Sequence, residues 1–88
     1  MSEKKTCSIR EAEERVKEFI YKRHAEIKNI HVAMTFPKRK FWVVKGEVSF
    51  KRFHSFSKVA FEAQVNMNTA EVTSYEETNL NHLKNQQG

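Results

Sequence analysis

The spacing of apolar residues changes once along this chain, near Asn29, from a helical period to an alternating one. Before that point Ile9, Ala12, Val16, Phe19, Ile20 and Ile27 recur at helical steps, which places them on one side of a helix. Arg10, Glu13, Glu14, Lys17, Glu18 and Lys22 fall on the other side. Ser8 followed three residues later by Glu11 has the spacing of a capping box, so the helix is predicted over about 9–27. Glutamates and lysines three and four residues apart on the polar side each add a few tenths of a kcal/mol.

After Asn29 side chains alternate. Ile30, Val32, Met34 and Phe36 share one parity, and Pro37 is expected to end this first strand. Lys38-Arg39-Lys40 reads as a charged turn. Trp42, Val44, Val48 and Phe50 then share one parity, while Val43, Lys45, Glu47, Ser49 and Lys51 share the other. Gly46 interrupts the apolar side, which suggests a bulge or space for a large neighbour such as Trp42. A connection through Phe53 to Ser57 leads to a third strand, in which Val59, Phe61, Ala63, Val65 and Met67 oppose Lys58, Ala60, Glu62, Gln64 and Asn66. Asn68-Thr69-Ala70 reads as a tight reversal before a short fourth strand, Glu71 to Tyr75.

Short connections require antiparallel pairing. The predicted fold class is therefore α+β: one N-terminal helix packed on a four-stranded antiparallel meander, in two layers, with the reverse face of the sheet bare. The expected core is Ile9, Ala12, Val16, Phe19, Ile20, Ile27, Ile30, Val32, Met34, Phe36, Trp42, Val44, Val48, Phe50, Val59, Phe61, Val65, Met67 and Val72. Residues 1–6 are expected to be a flexible lead, 7–76 the single domain, and 77–88, rich in Asn and Gln, a mobile tail in which Leu80 and Leu83 suffice for one helical turn. With 88 residues, the core is thin. No run of residues is long and apolar enough for a membrane span, and no signal peptide is expected, so the domain is read as cytoplasmic.

The segment from Phe61 to Val72 resembles the hairpin that ends PepSY-type domains, a strand followed by Asp-x-x-Thr-Gly-Glu/Lys-Val. Here Val65-Asn66-x-x-Thr69-Ala70-Glu71-Val72 occupies that frame. Over residues 42–76 the chain is also similar to the gas-vesicle accessory protein O family in its Trp-led strand with an internal Glu, aromatic-led strand, turn and Ser-Tyr pair. Trp42, Glu47, Phe61-Glu62, Glu71 and Ser74-Tyr75 carry that likeness. Either resemblance implies a non-enzymatic accessory domain. Two positions depart from the pattern: Asn66 replaces the turn Asp and Ala70 the turn Gly. Asn66 has no charge with which to serve as an ionic ligand. Ala tolerates positive φ poorly, so the turn is expected to be rebuilt around Asn68.

The formal net charge of +5 is unevenly placed. Between Lys38 and Lys58 stand Lys38, Arg39, Lys40, Lys45, Lys51, Arg52 and Lys58 against Glu47 alone; from Val59 onward acids exceed bases. Phe41, Phe53 and Phe56 are interspersed and have parities that allow exposure. Together with the basic residues they form the candidate binding surface. Cations beside aromatic rings suit single-stranded nucleic acid, because phosphates attract the cations and bases stack on the rings. The same surface suits an acidic protein partner, or is a solvated face on which Glu47 and Glu62 neutralise Lys45, Lys51 and Lys58 across strands.

A protein partner is the leading expectation, and nucleic acid the second. The discriminating feature is whether Phe41, Phe53 and Phe56 are exposed. The bare strand face or an edge strand is expected to carry the partner site, and edge pairing would give a symmetric dimer. No catalytic residues, cofactor or metal ligands are expected: His24, His31, His54 and His82 are scattered, the single Cys7 has no partner, and no nucleophile elbow is present. The helix N-terminus beside Cys7 would tend to lower its thiol pKa.

Overall fold

A computed structural model describes residues 7–51 and 57–79. The order of elements is α1 (Ile9–Arg23), β1 (Ile27–Lys38), β2 (Phe41–Phe50), β3 (Ser57–Asn66) and β4 (Val72–Asn79). The strands pair antiparallel in the order β1-β2-β3-β4, and α1 lies across one face. This is the α+β meander expected from the change of period.

The Ser8 hydroxyl accepts the Glu11 amide at 3.1 Å, which satisfies one of the otherwise unpaired N–H groups that begin a helix. Ala12, Val16 and Ile20, four residues apart, are fully buried. Ile9 lies outside the core, 45% exposed. The helix stops at Arg23 and does not reach 27. His24 is extended, and its amide still donates to the Ile20 carbonyl. Ile27 then serves as a strand residue opposite Phe50, while the Lys51 amide bonds to the Glu26 carbonyl at 2.9 Å.

Gly46 sits where β1 approaches too closely for any side chain. A Cβ there would stand 2.0 Å from the His31 carbonyl oxygen and 2.9 Å from the Val32 Cα. The constraint is the backbone of β1, and room for Trp42 plays no part. Opposite Gly46 the β1 register shifts: Val32 pairs with Gly46 but Met34 pairs with Lys45, so Ala33 is extra. One extra residue inverts the faces of all that follow. Thr35 therefore points to the helix and donates to the Glu13 carboxylate at 2.6 Å. Met34 and Phe36, both expected in the core, stand on the bare face; Met34 is 52% exposed. Pro37 does not end the strand. It pairs with Trp42 near the end of an edge strand, a position where a missing N–H is tolerated.

Beneath the helix lie Val44, Val48, Phe50, Phe61, Ala63 and Val65. Between β3 and β4 a shift separates Gln64/Ser74 from Val65/Val72, leaving Thr73 extra, with its hydroxyl donating to the Gln64 carbonyl. Val72 and Tyr75 consequently both pack against the core. β4 continues past Tyr75 to Asn79, so Glu77 belongs to the sheet and not to a tail. The turn before β4 is not rebuilt around Asn68: Ala70 itself adopts φ 64 and is buried. The Asn66 side-chain oxygen accepts the amides of Asn68 and Thr69, and the Ala70 amide bonds to the Asn66 carbonyl.

Candidate functional site

The proposed basic surface resolves into three parts. Lys38, Arg39 and Lys40 form the exposed end of the β1–β2 hairpin, joined by a two-residue loop in which Arg39 has φ 61. Phe41, which begins β2, is only half-exposed. Lys45 and Lys58 lie on the bare face, each beside a carboxylate: Lys45 Nζ is 3.8 Å from Glu62 and Lys58 Nζ is 3.6 Å from Glu47. These exposed pairs contribute little to stability, but they lower the charge available to a polyanion. Lys45 also stands over the Phe36 ring, 5.9 Å from its centroid. Lys51 is exposed just beyond β2. Arg52, Phe53 and Phe56 lie outside the described residues.

The register shift in β1 adds residues that alternation alone assigned to the core. On the bare face Met34 and Phe36 join Val43, which alternation already placed there, in an apolar strip beside the hairpin end. Phe36 pairs with Val43, and Val43 is 1% exposed although no helix covers this face. The signal for this strip was Gly46, read together with its partner strand. Nearby, Ala33, Glu47, Ala60, Glu62, Glu76 and Thr78 line part of a shallow depression of about 340 Å³.

On the helix side a polar cluster closes the end of α1. The Tyr75 hydroxyl donates to Glu77 Oε2 at 2.6 Å, His24 Nε2 lies 2.6 Å from the same oxygen, and Arg23 Nε is 4.0 Å away. Arg23 also stands over the rings of Tyr75 and Phe19. Burial, the largest influence on Glu77, raises its carboxyl pKa. The hydrogen bonds from Tyr75 and His24, with the charges of His24 and Arg23, outweigh it and leave the carboxyl below its ordinary value. The Tyr75 phenol is raised, by burial first and then by Glu77. Sequence reasoning missed this cluster because it ended the domain before Glu77. The helix-side position of Tyr75 and Glu77 depends on the extra residue Thr73.

At the other end of the helix the Cys7 amide donates to the Met67 carbonyl at 2.7 Å, and the Trp42 indole donates to the Cys7 carbonyl at 3.0 Å. The Cys7 thiol is buried, and its pKa is raised, by burial first and then by the charge of Glu11. The depression expected from the helix N-terminus is outweighed. His31 is exposed on β1; His54 and His82 lie outside the described residues. Among the described residues no three His, Cys, Asp or Glu side chains converge as metal ligands, and no helix is long and apolar enough to cross a membrane.

No family model, curated protein or solved structure matches this chain.

Proposed function

We propose that this chain is a small non-enzymatic accessory or adaptor domain that binds a protein partner through the sheet face opposite α1. The observation that carries this reading is exposed Met34 and half-buried Phe36, seated over the buried Val43, beside the cations Lys38, Arg39 and Lys40. Apolar surface rimmed by charge is the usual make-up of a protein–protein contact, and the partner surface it fits is apolar with carboxylates at its edge. The pairing of Lys45 and Lys58 with carboxylates weighs against the alternative, a weakly specific single-strand binder. So does the half-burial of Phe41, which limits base stacking.

An accessory role also follows from the likeness of residues 42–76 to PepSY-type and gas-vesicle accessory O hairpins. Two features of the turn support that likeness. Asn66 accepts two backbone amides as an Asp would, and Ala70 takes the positive φ of the missing Gly.

The test compares the native chain with Met34→Glu and with a Lys38→Glu, Arg39→Glu, Lys40→Glu variant, each checked for fold by circular dichroism. A protein that co-purifies with the native chain and is lost on Met34→Glu supports the reading. Salt-dependent micromolar binding of a short single-stranded oligonucleotide, abolished by the triple charge reversal and untouched by Met34→Glu, would overturn it.

A further inference from the structure

Three features at one corner of the domain run against the usual make-up of a half-buried hairpin. The apolar alternation of Ile30, Val32, Met34 and Phe36 is broken by the extra Ala33, which turns Met34 and Phe36 away from α1 and leaves Met34 exposed. On the helix side Ile9 is exposed too; it lies one turn ahead of Glu13, the residue that accepts the Thr35 hydroxyl. At the hairpin end the two-residue loop holds Arg39 at φ 61, a conformation that favours glycine. A one-residue slip of β1 beyond Val32 relieves all three.

We propose that β1 beyond Val32 has a second, minor register, and that the slip into it withdraws the partner contact proposed above. In that register Ala33 joins the ladder opposite Lys45, Met34 pairs with Val44, Phe36 pairs with Trp42, and Lys38, Arg39 and Lys40 become the loop. The slip turns Met34 and Phe36 to the helix side, with Phe36 toward Ile9, and sends Thr35 to the bare face. β1 is an edge strand, so only its ladder with β2 has to re-form, and the pairs from Ile27 to Val32 stay as they are. Two features keep the observed register in the majority. One is the hydrogen bond from Thr35 to Glu13. The other is Pro37. The Lys51 amide bonds to the Glu26 carbonyl, so odd-numbered amides of β2 face β1, and a proline opposite Phe41 would deprive that pair of a donor. The regulatory role rests on the contact assigned above to Met34 and Phe36, whereas the slip is a property of the chain alone.

The test uses the full-length chain without a partner. NMR relaxation dispersion is expected to detect exchange from Ala33 to Lys40, with a minor population of about 1–10%. Deletion of Ala33 removes the residue that the slip takes into the ladder, and is expected to abolish this exchange while Met34 stays exposed. Thr35→Asp sets two carboxylates against each other in the observed register and separates them in the slipped one, so the slipped register is expected to predominate. Oxidation of Met34 by dilute peroxide, followed by peptide mass spectrometry, is then expected to slow about fivefold relative to the native chain. Fraying of the hairpin without a slip would leave Met34 of Thr35→Asp oxidising as fast as in the native chain or faster, and that result overturns the proposal. So does a Thr35→Asp chain that unfolds, a native chain without exchange at these residues, or exchange that survives deletion of Ala33. A slip found together with a partner indifferent to Met34→Glu would remove the regulatory role alone.

Discussion

β1 contains extra residues at Lys28 and Ala33 and β4 one at Thr73, and the shifts at Ala33 and Thr73 have opposite results. In β1 the extra Ala33 turns Met34 and Phe36, which continue the apolar alternation of Ile30 and Val32, out of the core. In β4 the extra Thr73 lets Val72 and Tyr75, three residues apart, both face the helix. The same device removes apolar surface from one edge of the core and adds an aromatic to the other. The face a residue occupies is thus set by pairing with the neighbouring strand and not by its parity in the sequence.

Five measurements break or sharpen this contrast. Gly46→Ala is expected to have the largest effect, about 3 kcal/mol of destabilisation in urea unfolding, because the new methyl group meets the β1 backbone where Ala33 bulges. A neutral result would mean that β1 does not approach so closely. Tyr75→Ala is expected to cost about 2 kcal/mol, less than a fully enclosed aromatic, since Tyr75 is half-buried.

Glu77→Gln tests the polar cluster that β4 reaches only through its shift, and is expected to cost about 1 kcal/mol near neutral pH. The folded carboxyl lies below the ordinary value of 4.5. Its contribution is therefore complete above that pH and disappears as pH falls through the folded value. Stability followed from pH 6 downward should fall less steeply in Glu77→Gln than in the native chain.

Ala70→Gly is expected to raise stability by about 0.5 kcal/mol: relief of a left-handed alanine gains roughly 1–2, and loss of a buried methyl costs about 0.8. Met34→Ser is expected to change stability by less than about 0.5 kcal/mol, whereas a core methionine at that position would cost 2 or more by the usual range of about 2–5.

The helix start, the antiparallel order and the central strands were legible because local signals agreed with the final packing. Ser8 and Glu11 cap the helix, and the alternation through Val44, Val48, Phe61 and Val65 runs without a shift between β2 and β3. The outer strands were less legible. Nothing in the string from Ile30 to Phe36 reveals that Ala33 is extra; only the close approach at Gly46 does. Ile27 fits a helical face as well as a strand, so the helix end was placed four residues late. Of the candidate site, the hairpin cations and the Lys45 and Lys58 pairs followed from the sequence, while the Met34 strip and the Glu77 cluster required the registers.

The chain has a single sulfhydryl, and it is enclosed at the seam where Cys7 bonds to Met67 and receives the Trp42 indole. Alkylation proceeds through the thiolate, which burial there disfavours. The labelling rate therefore clocks how often that seam breathes, and it can be followed in the native chain without adding a reporter.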